Sequence, residues 1–158
     1  LNAYFTEMAE VISANSGIID KLIGDAIQAV FYQKQDLAPA EIRACRAALA
    51  MKQRLEKFNQ LRRQQGRFEI NNGIGIASGE VISGRVGSET GKLDATVLGK
   101  KLHLAESLEA KSKFALESSI LIDSQTAGKL VEAGLNSRMV PFQPELEAQV
   151  IFELVRLE

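Results

Sequence analysis

The segment Asp20-Lys21-Leu22-Ile23-Gly24-Asp25-Ala26-Ile27-Gln28-Ala29-Val30-Phe31 places a carboxylate directly after a glycine, between two runs that both read as strands. The flanks are apolar and β-rich, with Ile18 and Ile19 before the pair and Ile27, Val30, Phe31 and Tyr32 around and after it. Gly and Asp are ordinary turn residues, so the spacing alone is met by a plain two-residue hairpin. Such a tip can also hold an oxygen ligand at a fixed place for a hard divalent cation and its phosphates. Asp25 is therefore the first candidate metal ligand.

Outward from this hairpin, helices and strands alternate. Before it, Leu1, Phe5, Met8, Ala9 and Ile12 recur at a helical period up to about Ala14. After it, Pro39 opens a long helix with Ile42, Cys45, Leu49, Lys52, Leu55, Phe58 and Leu61 on one face. That helix ends before Gly66, with Arg62 and Arg63 where a helix C-terminus favours cations. Phe68 to Ile82 reads as strand, with glycines where the backbone must pass something closely. A polar, glycine-rich excursion over Gly84 to Lys92 suggests a projecting hairpin arm. Asp94 to Leu98 returns as a strand, and Leu102 to Lys111 forms a helix with Leu102, Ala105 and Leu108 inward. Ile120-Leu121-Ile122 is a short buried strand, and Asp123 or Ser124 can cap the helix that follows. Met139 to Phe142 and Val150 to Val155 are two closing strands around Pro144.

The chain has 158 residues, the length of one domain, and a net charge of −1. That balance gives no global pull toward nucleic acid or anionic membrane. Arg62-Arg63 and Lys100-Lys101 are short clusters, best read as solvated helix ends. The single cysteine, Cys45, cannot form an internal disulfide and falls at core spacing, which suits a buried thiol in a reducing, cytosolic setting. No apolar run reaches spanning length and no signal-peptide pattern opens the chain. Mixed strands, hairpins and crossovers argue for a layered α/β sandwich over a doubly wound parallel sheet.

Read in order, Asn2-Ala3-Tyr4-Phe5, Asp20 to Phe31, Phe58-Asn59 and Gly73-Ile74-Gly75-Ile76-Ala77-Ser78-Gly79-Glu80-Val81-Ile82-Ser83-Gly84-Arg85-Val86-Gly87-Ser88 resemble the class III nucleotidyl cyclases, the adenylate and guanylate cyclase catalytic domain. The resemblance covers nearly the whole chain. It implies a ferredoxin-like palm, an α+β sandwich with a mixed, mostly antiparallel sheet flanked by helices. It also implies conversion of ATP to cAMP and pyrophosphate, a phosphorus-oxygen lyase activity in cyclic-nucleotide signalling. Two Mg or Mn ions would clamp the attacking and leaving oxygens, and the site would form with a second cyclase domain in a homodimer or heterodimer.

Carried over by position, the resemblance makes Asp25 the second metal carboxylate, Lys21 the base-selecting lysine and Thr96 its partner. A threonine there goes with adenine. Without the resemblance, Lys21 reads equally as a solvated strand lysine and Thr96 as a β-former. The departures fall on catalytic groups. Thr96-Val97-Leu98-Gly99-Lys100-Lys101-Leu102-His103-Leu104-Ala105-Glu106-Ser107 stands where the family reads T-V-I-G-D-x-V-N-x-A-x-R, so His103 replaces the transition-state Asn and Ser107 the Arg. His103 could donate to phosphate or move a proton, while a lone helix histidine is more often a partly exposed polar residue. Ser107 lacks the fixed cation that a phosphoryl transition state requires. The triphosphate lysine aligns with Gln143-Pro144-Glu145, and no lysine or arginine lies between Arg138 and Arg156.

The first metal carboxylate and its strand would precede Leu1, so the chain is expected to be a single cyclase-homology domain supplied as a fragment. Two functions follow. One is the metal-bearing half of a composite cyclase site, impaired as a homodimer. The other is a degenerate cyclase-homology domain for dimerisation, nucleotide sensing or regulation.

Overall fold

The computed structural model describes residues 1–86, 94–142 and 150–158, in the order α1 Asn2–Ala14, β1 Ile18–Ile23, β2 Ala26–Val30, α2 Ala40–Gln64, β3 Ile74–Ile76, β4 Ile82–Val86, β5 Asp94–Leu98, α3 Lys100–Ser112, β6 Ile120–Asp123, α4 Ser124–Glu132, β7 Ser137–Phe142 and β8 Ile151–Leu157. The tip of the expected arm and Gln143-Pro144-Glu145 lie outside the described residues.

Four strands form a mixed sheet in the order β3-β6-β8-β7, with β3 and β6 parallel and the other pairs antiparallel. The alternation of β6 places its residues on both faces. Ile120 and Ile122 pack with Ile42, Cys45 and Ala48 of α2 and Ala127 and Leu130 of α4. Leu121 instead meets Leu108 of α3, so helices cover the sheet on both sides. All three β6 residues are fully buried, each contributing roughly 1.5–3 kcal/mol by burial. This is the layered sandwich expected from the sequence.

Two further antiparallel pairs stand apart from this sheet, β1 with β2 and β4 with β5. Arg43 of α2, itself buried, ties the first pair down. Its guanidinium donates to the carbonyls of Ser16 (3.1 Å) and Tyr32, which precede and follow the hairpin, and its Nε donates to that of Ala38 (2.8 Å). α1 packs on α2 through Tyr4, Met8 and Leu55.

The stretch expected as one strand from Phe68 to Ile82 is strand only over Ile74–Ile76 and from Ile82 onward. The cause is a helix side chain. Asn59 of α2 takes both backbone groups of Ile70, accepting from its N–H at 2.9 Å and donating to its carbonyl at 2.8 Å. Ile70 thus has both its backbone hydrogen bonds met without a neighbouring strand, and the Phe68 and Asn72 carbonyls accept from Arg62 and Lys52 of the same helix.

Gly75 does have to be small, as the sequence suggests. A Cβ there would lie 2.1 Å from the carbonyl oxygen of Ala105 and 2.4 Å from the backbone nitrogen of Glu109, because α3 crosses directly over β3.

Candidate nucleotide site

Gly24 and Asp25 form a two-residue turn between the paired residues Ile23 and Ala26. Gly24 has φ of +62° and Asp25 is not left-handed, the pattern of a type II′ hairpin with glycine at its first central position. Asp25 is exposed at the tip. Among the described residues no group of three or more His, Cys, Asp or Glu side chains is gathered to hold an ion. One carboxylate is a single hard-oxygen ligand where Mg²⁺ takes about six, so the described residues do not fit a metal centre on their own.

Lys21 and Thr96 are brought together. Lys21 Nζ donates to Thr96 Oγ1 at 2.5 Å, linking β1 to β5 across 75 positions of sequence. The lysine side chain is 39% exposed and its Nζ also lies 3.6 Å from Asp20 Oδ2. The same carboxylate oxygen accepts from Gln28 Nε2 at 2.5 Å. Asp20 opens the Asp20 to Phe31 motif without a role of its own in it, and Gln28 falls at one of its variable positions.

His103 and Ser107 sit on α3, which begins right after β5 and the Gly99 N-cap. The His103 side chain is 82% exposed, with Nδ1 3.4 Å from Glu106 Oε2. No contact joins it to Lys21, Thr96 or Asp25 among the described residues.

Lys101 corrects the reading of Lys100-Lys101 as a solvated helix end. Its Nζ reaches Asp123 Oδ2 at 2.9 Å, and its stem lies over Gly79, where a Cβ would come within 2.7 Å of Lys101 Cε. Asp123 is 2% exposed and caps α4 through the N–H and hydroxyl of Thr126, at 2.9 and 2.6 Å. A charge buried in this way needs a partner, and Lys101 supplies it. The ion pair pins the first turn of α3 to the end of β6. Cys45 behaves as expected, fully buried, with its thiol pushed up to about 12, chiefly by burial.

A cavity of about 470 Å³ lies between β2 and β3, lined by Ile27, Val30, Ile74, Ile76, Met51 and Leu102 among others. Lys21, Thr96 and Asp25 do not line it. Among the described residues, β2 has no strand on the side away from β1, and β3 none on the side away from β6. No helix among the described residues is long and apolar enough to cross a membrane.

Comparison with known proteins agrees with this arrangement. The family described as the adenylate and guanylate cyclase catalytic domain matches residues 1–140. The adenylate cyclase of Anabaena cylindrica is 40% identical over 117 residues, covering 72% of this chain and 22% of that protein. Adenylate cyclase 1 of Rhizobium meliloti (strain 1021) is 36% identical over 114 residues, covering 72% and 17%. The chain thus spans about a fifth of the length of these relatives. Among solved structures, the guanylyl cyclase Cya2 superposes with a TM-score of 0.79 at 30% identity, over 100% of this chain and 79% of that one. The adenylyl cyclase CyaB from P. aeruginosa gives 0.76 at 26%, over 98% and 80%. With a family match over most of its length and a fold shared with solved cyclases, the chain belongs to the adenylate and guanylate cyclase catalytic-domain family.

Proposed function

We propose that this domain binds ATP as one half of a composite adenylate cyclase site, and that a second cyclase domain supplies the groups that stabilise the transition state. The observation that carries this reading is the Lys21–Thr96 bond. Lys21 retains two further ammonium donors, and the Thr96 oxygen retains a lone pair after accepting from Lys21. A donor beside an acceptor matches the adenine edge, which offers a ring-nitrogen acceptor next to an amino donor. Guanine presents a ring N–H and a carbonyl there, reversing both.

Asp25 would supply one carboxylate for a Mg or Mn ion in this reading, the resemblance puts a second carboxylate outside this chain, and nucleotide phosphates and water would complete the shell. The cavity between β2 and β3 supports that division. Its two flanking strand edges lack partners among the described residues, and it suits an additional strand of the full-length protein. The domain then works in cyclic-nucleotide signalling, in a reducing cytoplasmic setting consistent with its one buried thiol.

The exposure of His103 favours a second reading, a degenerate domain that senses nucleotide or regulates an attached module without turnover. Titration calorimetry of the full-length protein with non-hydrolysable ATP and GTP analogues tests the binding claim. Heat with the ATP analogue and weaker binding of the GTP analogue are expected. No heat with either overturns nucleotide binding and leaves a structural role.

A further inference from the structure

The Lys21 ammonium lies beside the carboxylate of Asp20, the residue that precedes it in the same motif. Along β1 the pairing register runs Ile18 with Val30 and Ile19 with Ala29, then resumes at Lys21 with Gln28. Asp20 has no partner of its own, so Asp20 and Lys21 together oppose Gln28. This is a β-bulge, a device that re-aims a side chain at the cost of one ladder position. In a regular strand Asp20 and Lys21 would point to opposite faces. Here both reach the same place, since Asp20 Oδ2 is 2.5 Å from Gln28 Nε2 and 3.6 Å from Lys21 Nζ.

The Asp20 side chain is only 8% exposed, against 39% for Lys21. A carboxylate withdrawn from water persists where it is paired and hydrogen-bonded, and these two groups do both. Gln28, held on β2, fixes the carboxylate, and the carboxylate fixes the ammonium by charge. Lys21 otherwise has a long, freely rotating stem. Its Nζ is thereby held between Asp20 and Thr96.

We infer that Asp20, seated on the β1 bulge and clamped by Gln28, is a positioning residue that holds Lys21 against Thr96 and so sets the preference for adenine over guanine. The inference rests on the reading of Lys21 and Thr96 as the purine-selecting pair.

The test uses the full-length protein and the variants Asp20→Asn, Gln28→Leu, Lys21→Ala and the double Asp20→Asn/Lys21→Ala. Affinities for non-hydrolysable ATP and GTP analogues are measured by calorimetry and folding by thermal melting. Asp20→Asn keeps an oxygen for Gln28 but removes the charge. It is expected to weaken the ATP analogue roughly tenfold, the scale of one charge-assisted hydrogen bond, and to leave the GTP analogue and the melting temperature nearly unchanged. Gln28→Leu keeps the charge but frees the carboxylate, and a smaller loss in the same direction is expected. The double variant should lose no more than Lys21→Ala alone, because both changes remove one interaction.

Equal losses for both analogues, or a double variant whose loss is the sum of the singles, overturn the inference and leave Asp20 a structural residue. Wild-type affinity and selectivity in both Asp20→Asn and Gln28→Leu overturn it as well, with the purine reading intact. If wild type binds the ATP analogue and Lys21→Ala does not weaken it, the purine reading itself falls and the inference with it.

Discussion

Lys21 Nζ and Thr96 Oγ1 lie 2.5 Å apart, one on β1 and the other on β5, and this bond joins two antiparallel strand pairs that share no ladder. The lysine is partly exposed, so the bond adds little to folding. In the proposed function the pair serves to meet the adenine edge. Thr96→Val keeps the β-branched shape that suits a strand and removes the hydroxyl. The change is expected to cost about 1–2 kcal/mol in ATP-analogue binding and to move the melting temperature little. Calorimetry and thermal melting of the same samples check both.

By the resemblance in sequence, His103 and Ser107 would stand at the family's Asn and Arg positions. An arginine at a phosphoryl transition state is worth several orders of magnitude in rate. The double change His103→Asn with Ser107→Arg in the full-length protein is therefore expected to raise cAMP formation on the order of tenfold or more, with each single change giving much less. Product formed from ATP and Mn²⁺ is the readout.

Glu153 of β8 is 3% exposed and accepts from the backbone N–H groups of Leu116 (3.1 Å), Glu117 (2.8 Å) and Ser118 (2.5 Å), and from the Ser118 hydroxyl at 3.1 Å. Burial, the largest single influence, raises its pKa, but the donors from Ser118, Glu117 and Leu116 together outweigh it and hold the carboxyl below the usual range. A depressed folded-state pKa means that the unfolded chain binds the proton first as pH falls. The stabilisation is complete above the ordinary glutamate value and is lost as pH drops through the lower folded one. Glu153→Gln should destabilise by about 1–3 kcal/mol at neutral pH and flatten the acid limb of the stability curve. Urea melts from pH 7 down to pH 3 measure this.

Lys52 of α2 donates to the backbone carbonyl of Asn72 and to its Oδ1 at 2.9 Å, and burial lowers its pKa to about 8. Between that value and the unfolded one of about 10.4, the unfolded chain holds more protons, so stability rises with pH across that window. Lys52→Met should remove this slope, a change that denaturant melts between pH 7.5 and 10 detect.

How much of this was legible in the sequence differs from element to element. The hairpin, the long helix from Pro39 and the buried run Ile120-Leu121-Ile122 announce themselves by periodicity and turn residues, and the structure has all three. Asn59 taking the backbone of Ile70 carries no such signal, because one amide replacing a strand neighbour depends on how α2 lies in space. The same holds for Lys101, whose sequence neighbours suggest a solvated end while its partner Asp123 is 22 positions away. In the site, the motif pointed to Lys21, Thr96 and Asp25, and the first two do meet. The bulge at Asp20 was not readable, since a register shift is a property of two strands together.

The claim of a composite site is tested most directly by measuring cAMP from ATP and Mn²⁺ with the full-length protein alone, and again after mixing it with a cyclase domain that carries the transition-state Asn and Arg and the triphosphate Lys. Product is expected only, or overwhelmingly, in the mixture. Robust cAMP formation by the protein alone, unchanged by adding the second domain, would contradict it.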